Sequence, residues 1–317
     1  MKASPSEAVG RAYCSTANLG AGYDVFGLAL DKYSDTVAVR VTQGRGVRII
    51  ATGPYAWSLP RDPRKNSAGP PALAMIKRAR AKKGLIVVIN KNVPTGLGLG
   101  SSGATSAACT KALDELLGLK LSDDELVAIA SLGEKAVSGS AHADNVAASL
   151  LGGFTAVYDN PLRVTNLKPT SRLMAVVATP RLETLANKTQ KARSLVPRKI
   201  ETKKAVLNVG RASALAVGFF TGNIEMIGAG MHDEIAEPYR QSMIPGYADV
   251  MRLALEAGAA GVAISGAGPS LIALLDRTKY EPGPVGRAMV SGFAMSHVRS
   301  TWFATRPAPG AKIIRKR

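Results

Sequence analysis

Cysteine, histidine and aromatic residues are scarce in this 317-residue sequence. The two cysteines, Cys14 and Cys109, cannot build a disulfide framework and lack the Cys-x-x-Cys spacing of a metal site. No two of the three histidines are spaced as ligands on one helix face, so we expect no zinc site. No apolar run reaches the roughly 18 residues of a membrane span, and the N-terminus lacks the apolar core of a secretion signal. These absences favour a soluble protein of the reducing cytoplasm with no membrane partner.

Acidic residues are also few, with 23 Asp and Glu against 41 Lys and Arg, and the formal net charge is +18. Such a charge favours anionic partners, among them nucleic acid, acidic lipid and phosphorylated small molecules. The basic clusters at 61–65, 77–83 and 315–317 are short, and no RNA-type aromatic-basic motif or basic zipper accompanies them. We interpret the surplus as a solvated basic surface and expect no nucleic-acid partner, with a basic nucleic-acid-binding protein as the alternative outside enzymes.

Apolar patterning predicts strands and helices that alternate without the regular order of a parallel sheet. Strands are predicted at 35–43, 46–52, 85–91 and 172–180, helices at 72–84, 203–220, 223–231 and 246–257, and two strands around a glycine turn at 261–275. Between the first strands, glycines interrupt the pattern of residues 14–30. Gly118 has the position of a helix end, and Ser122 with Glu125 forms a capping box that opens the next helix. The fold class is therefore α+β, with two domains predicted at 1–167 and 168–317.

The most informative segment is a glycine-serine loop set between a predicted strand and a predicted helix. It reads Pro94, Thr95, Gly96, Leu97, Gly98, Leu99, Gly100, Ser101, Ser102 and Gly103. Alternate glycines allow tight turns and close approach to a ligand, and a helix start offers free N–H groups and the positive end of its dipole. Two hydroxyls add donors for phosphate oxygens or ligands for a magnesium ion. The segment is typical of a phosphate-binding loop.

Three other interpretations of this loop have to be considered against its residues. Gly98, Gly100 and Gly103 satisfy the dinucleotide pattern G-x-G-x-x-G, but that unit needs a second strand ending in an acidic residue, and here another helix follows. A Walker A loop needs a lysine before its Ser or Thr, and this loop has none. A glycine-rich connector without a ligand is the third, and the Gly-Leu-Gly-Ser-Ser core directly before a helix argues against it.

Together with its flanking segments, the loop resembles the phosphate loop of the GHMP kinase superfamily. STANLGAGYDVFGLAL (15–30) is similar to the first motif of the homoserine kinase family, and SAHADNVAASLLGGF (140–154) to its His-x-Asp-Asn segment. TQKARSLVP and EPYR stand where that family carries arginines, and AISGAGPSLIALL is similar to its last glycine motif. The resemblance runs in the family's order from about residue 10 to 275. It departs at Gly103, where alanine is usual.

This resemblance implies a two-domain fold, with a ribosomal-protein-S5-like α/β domain followed by a ferredoxin-like α+β domain. It also implies transfer of the γ-phosphoryl of ATP to the side-chain hydroxyl of L-homoserine, a small-molecule substrate, with Mg²⁺ as cofactor. Related kinases are commonly dimers, so a homodimer is expected. A shikimate or mevalonate type of kinase is the alternative within the superfamily.

The resemblance also assigns roles to residues. The loop from Pro94 to Gly103 would hold the ATP phosphates, Asn66 would lie near the nucleotide base, and Mg²⁺ would bind Ser101 or Ser102 together with Glu134. For the zwitterionic substrate, guanidinium groups suit the carboxylate and carboxylates suit the ammonium group. The expected substrate-binding residues are Asn18, Asp24, His142, Asp144, Thr189, Arg193 and Arg240.

Whether a general base takes the hydroxyl proton is left open by the sequence. Related mevalonate-type kinases use an aspartate, and the candidates here are Asp144 and its neighbour Asn145. Asparagine does not accept a proton usefully at neutral pH. With Asn145 at the hydroxyl, transfer would rely on orientation and the proton would pass to a phosphate oxygen.

Overall fold

The computed structural model describes residues 6–139, 142–182 and 188–317. The strands are β1 (Glu7–Asn18), β2 (Gly22–Thr42), β3 (Val47–Thr52), β4 (Gly84–Asn90), β5 (Phe154–Tyr158), β6 (Arg163–Leu167), β7 (Leu173–Pro180), β8 (Gly261–Ile264), β9 (Leu271–Asp276), β10 (Ser300–Thr305) and β11 (Lys312–Lys316). The α-helices are α1 (Gly69–Arg78), α2 (Ser101–Leu117), α3 (Asp123–Ser138), α4 (Asp144–Leu151), α5 (Lys188–Ser194), α6 (Thr202–Thr221), α7 (Ile224–Gly230), α8 (Glu237–Arg240), α9 (Tyr247–Glu256) and α10 (Pro282–Met295).

The first sheet has seven strands and is built around the long hairpin of β1 and β2. Its main order is β11-β1-β2-β4-β3, and β5 and β6 extend it where the first part of β2 pairs with β5. Alternating valines such as Val37 and Val39 turn one face inward, where they form a core with alanine-rich α2 and with α1 and α3. Small side chains let α2 lie close to the sheet, which is how a chain with 5% aromatics fills this core.

The segment 14–30, which was expected to interrupt the strands, is instead strand on both sides of a short turn. β1 runs to Asn18 and β2 starts at Gly22. Gly27 lies inside β2 because there is no room for a side chain, since a Cβ there would stand 2.4 Å from the backbone oxygen of Asp144. Glycine serves close packing here and does not break the strand.

The helix predicted at 72–84 is shorter and begins earlier. Pro70 and Pro71 open α1 at positions where a missing N–H costs nothing, and α1 ends at Arg78. The run of basic residues at 77–83 places like charges three and four residues apart, which disfavours further helix. The capping box of Ser122 with Glu125 and the helix end at Gly118 are confirmed.

The second sheet has four antiparallel strands in the order β10-β7-β9-β8. In chain order this is the 4-1-3-2 arrangement of a ferredoxin-like fold, with α10 crossing between β9 and β10. One face packs on α9 and α10. The other face shares a core with α6, α7 and the inner ends of β1 and β2. The two sheets therefore meet across one continuous core, with the turn of the β1–β2 hairpin at the junction. This is the expected α+β class.

The last strand returns to the first sheet. β11 pairs antiparallel with β1, with Gly10 opposite Ile313. Sheet membership changes between Leu167 and Leu173, but residues 312–316 belong with the first sheet, so the range 168–317 does not follow the sheets at its end. The domain boundaries stay a prediction.

In the described ranges, none of the helices has the length and apolar character needed to cross a bilayer.

Candidate active site

A cavity of about 700 Å³ lies where the two sheets meet. That volume is within the usual range for small-molecule sites. The first sheet and its helices contribute Asn18, Asp24, Lys91, residues 95–96 and 98–102, Glu134, His142, Asp144 and Asn145, and the second half contributes Thr189, Arg193, Arg240 and residues 266–268, among others. Chemistry-bearing residues from both halves thus converge on one space.

The glycine-serine loop forms one wall, between the end of β4 and the start of α2. Leu99 is 1% exposed and anchors the loop in the core, with Leu97 packed beside it, while the glycines that alternate with these leucines border the cavity. Gly98 has φ +77°, and a Cβ on it would stand 2.1 Å from the backbone oxygen of Ser265. Only glycine fits this combination of left-handed backbone and close contact.

The start of α2 faces the same cavity with its N–H groups uncapped. Gly100, with φ +59°, is the N-cap, no side chain accepts from the first turn, and no acidic residue lies in that turn. Free N–H groups and the helix dipole together favour an anion such as phosphate. A Cβ on Gly100 would stand 2.1 Å from Ser15 Oγ and 2.7 Å from Asn145 Oδ1, so the loop is pressed against both residues.

A buried ion pair beside the loop was not predicted from the sequence. Lys91 is 1% exposed; its Nζ pairs with Asp35 and donates to Ser101 O at 2.6 Å and Thr105 Oγ1 at 2.8 Å. Asp35 also accepts from the N–H of Val93 at 2.9 Å. Burial lowers the pKa of Lys91, and the charge of Asp35 opposes that shift. The network ties the strand before the loop to the helix after it. A lysine at the end of an apolar strand is the only sequence signal for it.

Replacing Asp35 with asparagine should lower the free energy of unfolding by about 3–5 kcal/mol, because it leaves the Lys91 ammonium buried without its carboxylate. Urea titration of both proteins measures this difference. The matched control is Asp249→Asn, which removes a carboxylate 3.4 Å from the half-exposed Arg252 and should change stability by about 0.5 kcal/mol or less. Equal changes in the free energy of unfolding for the two variants would contradict a larger contribution of the buried pair to stability.

A buried carboxylate faces the start of α2. Glu134 is 8% exposed, burial raises its pKa, and a hydrogen bond from Ser102 acts in the opposite direction. Ser101 instead donates to Val93 O at 3.0 Å. The arrangement places one carboxylate and one hydroxyl, both oxygen donors, beside the phosphate loop. Oxygen donors of this kind suit Mg²⁺, which takes one or two carboxylates and completes its shell with substrate phosphates and water.

Asp144 and Asn145 lie at the start of α4 on the cavity wall. Asp144 is 3% exposed, and burial together with the negative charge of Asp24 raises its pKa to about 6. Its Oδ1 accepts the backbone N–H of Asn145 at 2.7 Å. A carboxylate with this pKa is ionised at neutral pH and is basic enough to accept a proton from a reacting hydroxyl.

Opposed charges meet at another part of the cavity. Arg193 Nη2 lies 2.6 Å from Asp24 Oδ2 and 2.7 Å from His142 Nδ1, and the same His142 nitrogen lies 3.3 Å from Asp24 Oδ1. Burial raises the pKa of Asp24, but His142 and Arg193 outweigh it and hold the pKa below its ordinary value. Asn18 Oδ1 accepts the N–H of Asp24 at 3.1 Å, and Asn18 Nδ2 donates to Gly266 O at 2.8 Å. Asn18 thereby ties the hairpin turn to the glycine turn of the second sheet.

Arg240 is a buried guanidinium at the end of α8, 6% exposed. It donates to Ala192 O at 3.0 Å and Gly266 O at 3.4 Å, and it lies 4.9 Å from the Tyr23 ring centroid, with the Tyr23 hydroxyl 3.4 Å away. Within the described ranges, Arg240 has no ion pair with a carboxylate, so its charge is available to an anionic ligand.

Four of the predicted residues do not border the cavity. Asn66 is fully buried, donates to Pro60 O at 2.8 Å and accepts from the N–H of Ala68 at 2.9 Å. Its amide holds the loop before α1, whose Ser58, Leu59 and Pro60 do border the cavity. A place for Asn66 near the nucleotide base stays a prediction. Pro94, Leu97 and Gly103 are the other three; Leu97 packs against the core, and Gly103 lies in the first turn of α2.

The fold and this site define a class of protein. Residues 69–153 match the family model "GHMP kinases N terminal domain", and residues 213–283 match "GHMP kinases C terminal". The first match spans the phosphate loop and α2 to α4, and the second spans α8 and the glycine turn. The protein is of the GHMP kinase class.

Relatives narrow the class further. The chain is 41% identical to the homoserine kinase of Thermoplasma acidophilum over 83% of each chain. It is 38% identical to that of Methanocella arvoryzae over 96% of this chain and 97% of the relative. A crystal structure of homoserine kinase from Cytophaga hutchinsonii superposes with a TM-score of 0.89 at 35% identity and covers 99% of both chains. The chain belongs to the homoserine kinase family.

Proposed function

We propose that the protein transfers the γ-phosphoryl group of ATP to the side-chain hydroxyl of L-homoserine, giving O-phospho-L-homoserine and ADP. The observation that carries the proposal is the position of Asp24, Arg193 and Arg240 in the same cavity as the phosphate loop. A site with both signs of charge suits a zwitterion. A neutral polyol or an isoprenoid precursor lacks the ammonium group that would pair with the carboxylate of Asp24.

The nucleotide would lie along the phosphate loop with its phosphates at the uncapped start of α2. Glu134 and Ser102 would hold Mg²⁺, because Ser102 is the hydroxyl next to the Glu134 carboxylate, whereas the Ser101 hydroxyl is directed to Val93 O. When bound, the ion neutralises charge on the phosphates during transfer. The residues of this chain position the phosphate tail, because phosphoryl transfer depends mostly on alignment and charge.

The amino acid would replace the ion pair between Asp24 and Arg193 by two new ones. Its ammonium group would take Asp24, and its carboxylate would take Arg193 and Arg240. Arg193 is already bound to Asp24 in this structure, so a zwitterion satisfies both partners when it separates them. Arg240, without a carboxylate of its own among the described residues, carries the larger share of the attraction. Thr189 borders the cavity on α5 and could add a hydroxyl contact.

In the transfer step, the substrate oxygen forms a bond to the γ-phosphorus while the bond from that phosphorus to the bridging oxygen of ADP breaks. The hydroxyl proton passes to the carboxylate of Asp144. Asn145 contributes an amide and no base. The raised pKa of Asp144 supports this division of roles, because a carboxylate with an ordinary pKa would be a weaker base.

The pH dependence follows from Asp144. Because the base must be ionised and its pKa is raised to about 6, kcat/KM should be level above about pH 7 and should fall about tenfold per pH unit well below pH 6. Initial rates between pH 5 and 8 at saturating magnesium measure the profile. Asp144→Asn should lose most of kcat and this inflection with it. Full turnover of Asp144→Asn would mean that the proton goes to a phosphate oxygen instead.

The substrate is tested by ADP release with magnesium-ATP and, in separate reactions, L-homoserine, L-serine, shikimate and mevalonate. We expect stimulation by L-homoserine alone among them at low concentration. No stimulation by L-homoserine would refute the proposal. A nucleic-acid-binding protein would instead show an affinity for nucleic acid that falls steeply with salt.

The proposal also includes the cellular compartment and the oligomeric state of the protein. The free, buried thiols of Cys14 and Cys109 suit a reducing cytoplasm. A homodimer is expected by analogy with related kinases, and sedimentation of the purified protein tests it.

A further inference from the structure

Ser15 is a fully buried hydroxyl that none of the steps above uses. It lies on β1, close to the hairpin turn, and is 0% exposed. A hydroxyl buried this deeply is costly unless it is hydrogen-bonded. Ser15 Oγ lies 3.0 Å from Asn145 Oδ1 and 3.1 Å from Asn145 O, and Ser149 Oγ donates to it at 3.2 Å. Since Ser149 donates to Ser15, the single proton of Ser15 is left for Asn145, whose side-chain Oδ1 at 3.0 Å is the nearer of the two acceptors.

This hydrogen bond sets the direction of the Asn145 carboxamide. With Oδ1 held by Ser15, the Nδ2 group is turned to the other side, where a Cβ on Gly266 would stand 3.9 Å from it. Asn145 and Gly266 both border the cavity. The amide therefore presents donors to the space between the phosphate loop and the glycine turn, where an anionic group in transfer is to be stabilised.

Ser15 also contacts the phosphate loop through its backbone. Its N–H donates to Leu99 O at 3.2 Å. Gly100, next in the loop, is so close that a Cβ would meet Ser15 Oγ and Asn145 Oδ1. One residue thus fixes the loop with its main chain and the amide of Asn145 with its side chain, although Ser15 and Asn145 are 130 positions apart.

We infer that Ser15 is a positioning residue for phosphoryl transfer, which acts by holding the Asn145 carboxamide against the phosphate loop with its N–H groups toward the reacting phosphate. The inference rests on the proposed kinase function. Ser15 itself does not touch substrate. Its contribution is realised in kcat, because the oriented amide matters most when charge is redistributed in the transition state.

The test is a double-mutant cycle of wild type, Ser15→Ala, Asn145→Ala and the double variant, with kcat and KM measured for L-homoserine and ATP. Ser15→Ala should lower kcat about 10-fold, the typical effect of losing one orienting hydrogen bond, and change either KM by less than about threefold. In the Asn145→Ala background the same change should alter kcat less than about twofold, because the group that Ser15 holds is gone. An equal loss of kcat in both backgrounds, or no loss in either, would overturn the inference.

Two further variants keep the test decisive. Ser131→Ala removes another buried hydroxyl, which donates to Val127 O at 2.7 Å within α3 and does not border the cavity, and should leave kcat unchanged. Ser15→Cys replaces the hydroxyl by a weak donor of similar shape and takes the place of Ser15→Ala in the cycle, with the same expectations, should the alanine variant not fold. A wild type that does not phosphorylate L-homoserine would refute the proposed function, whereas an active wild type with an additive cycle would refute only the role of Ser15.

Discussion

Arg240→Ala should raise KM for L-homoserine about 100-fold, which corresponds to about 2.7 kcal/mol of lost binding. The guanidinium is 6% exposed and borders the cavity, so a carboxylate that reaches it is bound with little competition from water. Arg240→Lys should recover only part of the loss, because an ammonium group cannot bind both carboxylate oxygens in the same fork geometry. Steady-state kinetics at saturating magnesium-ATP measure both variants.

KM for ATP is the control measurement for this prediction. KM for ATP should change less than about threefold in Arg240→Ala, since the groups that hold the phosphates belong to the phosphate loop and α2. Arg252→Ala removes an exposed arginine paired with Asp249 and Glu256 and should leave both KM values as they are. An equal rise of both KM values in Arg240→Ala would show that the arginine supports the cavity as a whole, through its bonds to Ala192 and Gly266, and does not hold the substrate carboxylate.

Local sequence patterns predicted local structure well. The alternate glycines of the loop, the helix end at Gly118 and the capping box of Ser122 depend on neighbouring residues only, and each is found as expected. The prediction that the glycines of residues 14–30 interrupt the strands was wrong, because the contact that requires Gly27 comes from α4, more than a hundred positions away. A glycine in a strand can mark either a close approach of another backbone or an interruption, and the sequence alone does not separate the two.

The long-range contacts that organise the site could not be predicted from sequence patterns. Lys91 meets Asp35 across 56 positions, and Ser265 Oγ lies 2.7 Å from Gly98 O across 167. These pairs form only because the hairpin of β1 and β2 and the glycine turn of the second sheet converge on the same loop. A single charged or hydroxyl residue in a strand or directly after it carries no period or spacing that would have pointed to its partner.

The assignment of charged residues had a different source. In a chain with 41 Lys and Arg, nothing in composition separates Arg193 or Arg240 from a surface arginine, and the resemblance to a family singled them out. The structure adds what the resemblance did not contain, namely that Arg193 is already paired with Asp24 whereas Arg240 is bound to carbonyl oxygens. The two arginines therefore start from different electrostatic states before any substrate arrives.

Gly98→Ala should reduce kcat/KM for ATP about 1,000-fold. The new Cβ would stand 2.1 Å from Ser265 O and 2.9 Å from Gly268 O, so either the phosphate loop or the glycine turn has to move. The two oxygens belong to the backbone and cannot rotate away. The phosphate loop and the glycine turn both border the cavity, on the sides where phosphate and the amino acid would meet. A shift of about 1 Å at such a place costs on the order of 100-fold in rate, and the left-handed φ of +77° adds about 1–2 kcal/mol of strain for a side chain.

Two other glycines separate these contributions. Gly96 lies in the same loop with φ +75°, and Gly118 ends α2 with φ +62°; a Cβ on either would meet nothing within 4 Å. Gly118→Ala should lower stability by about 1 kcal/mol and leave kcat/KM unchanged, whereas Gly96→Ala, with backbone strain alone, should lower kcat/KM about 10-fold or less. The measurements are kinetics and urea titration of all three variants. Comparable losses of kcat/KM in Gly96→Ala and Gly98→Ala would mean that the left-handed backbone, and not the contact with Ser265, makes glycine necessary in this loop.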